Sequence, residues 1–425
     1  MKKVWYKGAL HTHSFGSDGE GFPEEVVVRH CERGYDFVTI SDHNVVNRDK
    51  NLWLPVLTPA QGPFQGNLPY VGGCSYCEAL RNYENCCPGE PHTKRNHSYQ
   101  YVRVKTIAEV QKRYDQPGKF LVLSGEEISH WFEDEGGRRQ LHCNVINLKN
   151  VIPAENQADI PSTLQRNCEL ASAAFAEANL PGVFICNHPH GYIYDLEPQY
   201  LIDHPDIRHF ELVNSNVDGV GGEKSLSNKL PRDNEMFFDM VNCHRVRNHQ
   251  GVLYAAASDD AHRYDDERIN LRVGVGFSYV MVKIKGRFTR RAIAEAMNDG
   301  NYYPSTGVHF KDIIYDRPGR TLKVEIQPEK GVNYHIEFIV TKKDAVIVDK
   351  EIDYDNPERK IKRRIALPGQ GIGVVAKTVA GLTGEYTLAD DDLFVRAVAI
   401  SDRLALCRSN RMCRTFEAAW TQILY

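Results

Sequence analysis

Residues 4–19 read VWYKGALHTHSFGSDG. The apolar run Val4–Leu10 leads straight into His11-Thr12-His13. Such a run reads as a buried strand. Alternation along a strand puts residues i and i+2 on one face. His11 and His13 therefore aim two imidazoles at one point, and Asp18, in the Ser-Asp-Gly loop that follows, can bring a carboxylate alongside. Taken alone the pair decides little, because any single strand-end histidine is more often a hydrogen-bonded core residue.

The pattern recurs. FVTISDHN (37–44) delivers His43, and FLVLSGEEIS (120–129) delivers Glu126 and Glu127. LHCNVI (141–146) carries His142, and VFICNHPH (183–190) carries His188 and His190. VLYAAASDDAH (252–262) carries Asp259, Asp260 and His262. Nearly every candidate strand sets a His or a carboxylate beside one of its ends. Unpaired, so many polar groups would be costly to cluster. Divalent metals remove that cost. Mixed imidazole and carboxylate donors suit Zn²⁺, Mn²⁺ or Fe²⁺ without choosing among them.

Outward from these motifs, strand-like runs alternate with helical patterns at Glu24–Arg33, Ile107–Arg113, Leu164–Ala178, Glu235–Val246 and Thr289–Asn298. That alternation predicts an α/β fold, a TIM-like barrel whose strand ends converge on one mouth. After Ser305-Thr306-Gly307 it stops. Short stretches of alternating polarity, from Asp312–Tyr315 to Leu393–Ser401, then predict a second, smaller β-sandwich-like domain. The expected domains are 1–308 and 309–425. Residues 49–104 interrupt the first with an aperiodic insertion rich in Gly, Pro, Asn and Tyr, which reads as a substrate-covering lid. Its Cys74-Ser75-Tyr76-Cys77, Cys86-Cys87, His92 and His97 are spaced too tightly for an ordinary zinc ribbon.

A net charge of −4 argues against a general nucleic-acid binder. The short run after Lys2-Lys3 is not the h-region of a signal peptide, and no apolar run reaches the roughly 18 residues of a membrane span. Eleven cysteines, an odd number scattered along the chain, read as reduced thiols in a cytoplasmic protein.

The motifs HTHSFGSDG, TISDHN, SGEEIS, LHCNVI, CNHPH and SDDAH, in that order, resemble the PHP (polymerase and histidinol phosphatase) superfamily over about residues 5–307. The resemblance implies a distorted (β/α)7 barrel with two to three divalent metal ions that hydrolyses phosphoesters. It implies that His11, His13, Glu127 and Asp260 hold one metal, and that Glu127 bridges to a second with His142 and His188. Asp18, His43 and His262 would hold the third. The family patterns Gly-x-Glu and Asp-x-His select Glu127 over Glu126 and Asp260 over Asp259. The family more often has His where this chain has Asp18.

The chemistry so implied is in-line attack by a metal-activated hydroxide on phosphorus, with Glu127 and Asp260 at its centre. His190 is a candidate acid for the leaving oxygen and equally a supporting residue. Arg48, Lys94, Arg95 and Arg263 are candidate phosphate contacts, each more often a solvated surface charge. The expected partner is a small phosphorylated substrate such as a sugar or nucleotide phosphate, with no membrane and no nucleic acid; self-association stays open. The alternatives are a non-phosphoester metallohydrolase, a nuclease or proofreading module, and a non-catalytic metal-bound scaffold whose β domain binds a glycan or protein.

Overall fold

The computed structural model describes residues 5–56, 83, 93–96, 99–134, 137–189, 195–216, 234–264, 274–356, 359–405 and 415–425. The strands are β1 (Trp5–Ala9), β2 (Phe37–Ile40), β3 (Trp53–Val56), β4 (Thr93–Asn96), β5 (Tyr99–Arg103), β6 (Leu121–Asp134), β7 (Gly137–Ile146), β8 (Val183–Cys186), β9 (His209–Asn214), β10 (Tyr254–Ser258), β11 (Tyr279–Lys283) and β12 (Tyr302–Ser305). They continue as β13 (Phe310–Asp316), β14 (Thr321–Ile326), β15 (Tyr334–Lys342), β16 (Ile347–Asn356), β17 (Arg359–Pro368), β18 (Val374–Ala380), β19 (Thr383–Thr387), β20 (Asp392–Leu404) and β21 (Phe416–Trp420).

One thirteen-stranded mixed sheet dominates, in the order β10-β9-β8-β7-β6-β2-β1-β11-β12-β21-β20-β15-β18. This corrects the barrel expectation: among the described residues the sheet does not close. Its first strand, β10, meets β1 only beyond the strand ends, through an isolated bridge between Thr12 and Ala261. Nor are the units regular βα repeats. The pairs β1–β2, β2–β6, β8–β9 and β9–β10 are parallel, but β6–β7, β7–β8, β1–β11 and β11–β12 are antiparallel. A parallel step needs a long crossover, whereas β6 and β7 join as a hairpin. Apolar runs report burial and not strand direction, which is why the alternation misled.

Helices cover the sheet for legible reasons. In the helix Ile160–Ala178 the buried positions Ile160, Leu164, Cys168 and Ala171 recur at helical spacing and join the main core. Asp159 caps its start by accepting from the Ser162 N–H at 2.8 Å, and Asn179 ends it in the left-handed conformation (φ 48°). Close approach is set at Gly8, where a Cβ would lie 1.9 Å from the Phe37 ring.

The C-terminal strands are tied to this sheet by polar contacts. Ser305 of β12 pairs with Ala419 of β21. Arg396 of β20 is buried; its Nε and Nη2 donate to Asp239 at 2.8 Å and its Nη1 to Glu235 at 2.8 Å, both on the helix Asn234–Arg247. Gln422 satisfies the outer edge of β10: Ala255 N–H donates to its Oε1 and its Nε2 donates to Ala255 O, both at 2.9 Å. No described helix is long and apolar enough to cross a membrane.

Removing one partner of a buried ion pair strands the other charge, at a cost of about 3–5 kcal/mol. Arg396 keeps Glu235 at 2.8 Å, so Asp239→Ala is expected to lower the unfolding free energy measured in urea by no more than that, and Asp239→Leu with Arg396→Met by less; equal losses would show that the pair itself is unimportant. His209 generates a pH prediction. Burial drives its pKa down to about 3, with Asn298 opposing and Arg208 adding to the drop. Its folded value lies below the unfolded one, so the stability it contributes is complete above pH 6.5 and fades as pH falls toward 3. Comparing pH 7 with pH 4.5 in chelator, His209→Gln is expected to reduce the wild-type acid loss by about 2–3 kcal/mol; an unchanged slope would refute this.

Candidate metal centre

The continuations of β1, β2 and β10 are zipped to one another and to the middle of β6. His13 N–H donates to Ala261 O (2.9 Å), Ala261 N–H to His11 O (3.3 Å), and Thr12 N–H to Ser41 Oγ (3.0 Å). Glu127 N–H donates to Asp42 O and Asn44 N–H to Glu127 O, which places His43 beside Glu127. The structure therefore sets His11, His13, His43, Glu127 and Asp260 around one centre. His142 enters from β7 and His188 from the turn after β8. Both Glu127 and His142 lie inside long strands and not at their ends.

All nine expected ligands meet. Glu127 is the hub: Oε1 lies 3.1 Å from His11 Nε2, 3.1 Å from His142 Nδ1 and 3.6 Å from His188 Nε2. Its Oε2 lies 2.9 Å from His43 Nδ1 and 3.4 Å from His13 Nε2. Asp260 Oδ1 sits 3.2 Å from His11 Nε2 and 3.0 Å from His13 Nε2. Asp18 Oδ1, at the exposed rim, faces His262 Nε2 (3.3 Å), His43 Nε2 (3.5 Å) and His13 Nδ1 (3.6 Å). Among the described residues, three mutually close donor groups result: His13, Asp18, His43 and His262; His11, His13 and Glu127; His43, Glu127 and His142. His13 and His43 each belong to two groups, a sharing beyond what the family resemblance implied.

The donor atoms fit divalent cations. His11 Nε2, His13 Nε2, Glu127 Oε2, His142 Nε2 and Asp260 Oδ1 are buried without a hydrogen-bond partner. Each such atom costs about 1–3 kcal/mol if left unsatisfied. The backbone is strained here too, with φ of 24° at His188 and 51° at Asp260, conformations that cost non-glycine residues about 1–3 kcal/mol each. The electrostatics are mixed: against burial, Asp260 and Glu127 hold His11, and Glu127 and Asp18 hold His43, well above the usual imidazole range. Burial alone would raise the Glu127 pKa, but His11, His142 and His43 hold it well below the carboxylate range. Burial takes His142 down to about 4 despite Glu127, leaving it the neutral imidazole a cation needs.

The two adjacent carboxylates separate cleanly. Glu126 points away and accepts from Ile152 N–H at 2.7 Å; burial pushes its carboxyl up to about 8. Asp259 accepts from the N–H groups of Gly276, Phe277 and Ser278 and from Tyr35 Oη, bracing the approach to β11. Of the candidate phosphate contacts, Arg48 is exposed with its guanidinium 3.5 Å from Leu148 O, and Arg263 pairs with Glu20 at 3.0 Å beside His262. His190, the side chains of Lys94 and Arg95, and the cysteines and histidines singled out in the insertion lie outside the described residues.

Sequence reading missed the groups that hold the ligands. Buried Glu211 accepts from His11 Nδ1 at 2.8 Å, from His188 N–H at 2.9 Å, from Asn214 Nδ2 at 2.8 Å and from Ser258 Oγ. Its signal was present: it is a lone carboxylate inside the apolar run Phe210–Val213. Asn187 donates to Glu127 Oε1 at 2.7 Å, Ser129 Oγ meets His43 Nδ1 at 2.6 Å, and Asn216 Nδ2 donates to Asp260 at 3.2 Å. These had no signal short of the fold.

No family model and no curated protein matches the sequence. Among solved structures, the chain is similar to a two-domain protein from Bacteroides vulgatus containing a predicted PHP-like metal-dependent phosphoesterase. The identity is 13% and the TM-score 0.41, over 99% of this chain and 95% of that one. It is also similar to an amidohydrolase from Chromobacterium violaceum with bound sulfate and no metal, at 14% identity and a TM-score of 0.28, over 60% of this chain and 87% of that one. A protein from Bifidobacterium adolescentis named as a metal-dependent phosphoesterase aligns at 12% identity and a TM-score of 0.26, over 61% and 89% of the two chains.

If Glu127 spans two ions, Glu127→Gln is expected to lower the metal content by both together, whereas Asp18→Asn removes only the outermost. Elemental analysis of the purified variants checks this. Loss of a single ion from Glu127→Gln would show that it does not bridge.

Proposed function

We propose that this chain is a metal-dependent phosphoesterase acting on a small phosphorylated molecule. The observation that carries the reading is the convergence of five unpartnered buried donor atoms, from His11, His13, Glu127, His142 and Asp260, on one centre. We assign two to three divalent ions, zinc, manganese or iron, to the nine ligands, with the ends of the strands wrapped as a distorted, incompletely closed barrel around them. When bound, such ions activate water and neutralise the phosphoryl oxygens.

The chain's own residues define the rest. Glu127 presents one oxygen to His11, His142 and His188 and the other to His13 and His43, so it holds both sides of the site at a fixed separation. Glu211 and the Asp260 carbonyl take up the Nδ1 atoms of His11 and His262 and leave their Nε2 atoms facing inward. The floor is dry: His11 and His13 are fully buried, and solvent reaches the site past Asp18, His43 and His262. Substrate enters there, with its phosphoryl group toward Glu127. His190, two residues after His188 in the sequence, is the proposed proton donor to the leaving oxygen. Five described cysteines are free thiols, four of them buried, which supports a reducing, cytoplasmic setting.

Protein loaded with Mn²⁺ or Zn²⁺ is expected to turn over at least one member of a panel of phosphomonoesters and phosphodiesters. Activity should vanish with chelator and return with metal. Absence of turnover on every ester, with metal shown bound, would overturn the reading.

A further inference from the structure

The chain from His13 to Gly19 is wound around the buried carboxylate of Asp42. Asp42 Oδ1 accepts from Ser14 N–H at 2.6 Å and from Ser17 Oγ at 2.8 Å, and Oδ2 accepts from Ser14 Oγ at 2.6 Å. Ser14 Oγ in turn accepts from Gly16 N–H at 3.0 Å, and Ser14 O accepts from Ser17 N–H at 3.0 Å and Gly19 N–H at 3.1 Å. The turn is tight: a Cβ on Gly16 would stand 2.4 Å from Asp42 Oδ2, and one on Gly19 would stand 2.3 Å from His13 O. A buried carboxylate is costly unless donors surround it. Among the described residues, all three donors to the Asp42 carboxylate come from this one loop. The loop opens on His13 and leads to Asp18, so the group that shapes it also sets two of the expected ligands.

The Ser17 hydroxyl links the two. Its single proton goes to Asp42 at 2.8 Å, while His13 Nδ1 and Asp18 Oδ1 each lie 3.4 Å from the same oxygen. With that proton committed, the oxygen is left as an acceptor. An ionised Asp18 has no proton to give it, so the donor is His13 Nδ1–H. A neutral imidazole protonated on Nδ1 carries its lone pair on Nε2. His13 Nε2 lies 3.0 Å from Asp260 Oδ1 and 3.4 Å from Glu127 Oε2, buried and without a hydrogen-bond partner. We infer that Asp42 is a positioning residue: through Ser17 it turns His13 Nε2 toward Glu127 and Asp260, and it keeps Asp18 for the outermost ion. This rests on the metal-dependent reading and deepens it, because His13 belongs to both an inner and the outer donor group. Asp42 assigns it to the inner one.

The test joins imidazole NMR to metal titration. The full chain is labelled with isotopic nitrogen in its histidines, and nitrogen–proton correlation spectra are recorded in chelator and again with Zn²⁺; His13→Gln identifies the signal. His13 is expected to carry its proton on Nδ1 in both states. Zn²⁺ affinity is expected to fall about 10–100-fold in Ser17→Ala and in Asp42→Asn, the usual effect of removing a group that orients a ligand. Ser17→Thr, which keeps the hydroxyl, should retain the wild-type affinity. Ser17 is only partly buried, so Ser17→Ala tests the link even if Asp42→Asn does not fold. A His13 proton on Nε2 overturns the inference. So does wild-type affinity in Ser17→Ala, even with a lowered thermal midpoint, or a loss in Ser17→Thr as large as in Ser17→Ala. If the wild-type protein binds neither Zn²⁺ nor Mn²⁺, the metal-dependent reading falls and the ligand roles with it, whereas the spectrum in chelator separately decides whether Ser17 and Asp42 set His13.

Discussion

Everything around the centre answers to one constraint: six imidazoles and two carboxylates withdrawn largely or wholly from water, with the third carboxylate, Asp18, at the exposed rim. Without a cation, the buried faces of His11, His13, Glu127, His142 and Asp260 have no adequate partner. The chain tolerates this because other groups fix each ligand from behind. Glu211 alone gathers His11, His188, Asn214 and Ser258. The cluster is thus a set of donors prepared in advance, with its polar cost and its backbone strain at His188 and Asp260 carried by the surrounding sheet.

That preparation explains the irregular sheet. Five of the expected ligands, His11, His13, His43, Asp260 and His262, come from the continuations of β1, β2 and β10, where parallel neighbours end together at one level. His142 comes from β7, which runs the opposite way. An antiparallel hairpin is the shortest way to bring a second strand past Glu127 without a helix between. It also carries β6 and β7 beyond their neighbours, which builds a wall on one side of the mouth.

The site was more legible than the fold. A histidine directly after an apolar run, as at His11, His43 and His188, states its position through period-two alternation and burial, both local properties. So does the pairing of Asp260 with His262. Strand direction is not local: nothing in FLVLSGEEIS or LHCNVI says that they form a hairpin, and so a barrel was expected where an open mixed sheet is found. Supporting residues divide along the same line. Glu211 stood out as a charge inside an apolar strand, whereas Asn187 and Ser129 are ordinary turn and strand residues until their neighbours are known. Arg48 was singled out only as a cation near a motif in sequence, and its guanidinium lies 3.5 Å from the Leu148 carbonyl.

Gln422 lies 167 residues after the strand edge it covers. Its amide stands in for a neighbouring strand at Ala255, offering both a donor and an acceptor. During synthesis β10 therefore emerges long before this cover, with an edge open to pairing with any other extended chain. The contact closes a long loop, so it forms late and slowly. Safe production of the metal-binding half thus depends on a residue of the other half, which makes the interval between the two the period of greatest exposure to aggregation and to chaperone capture.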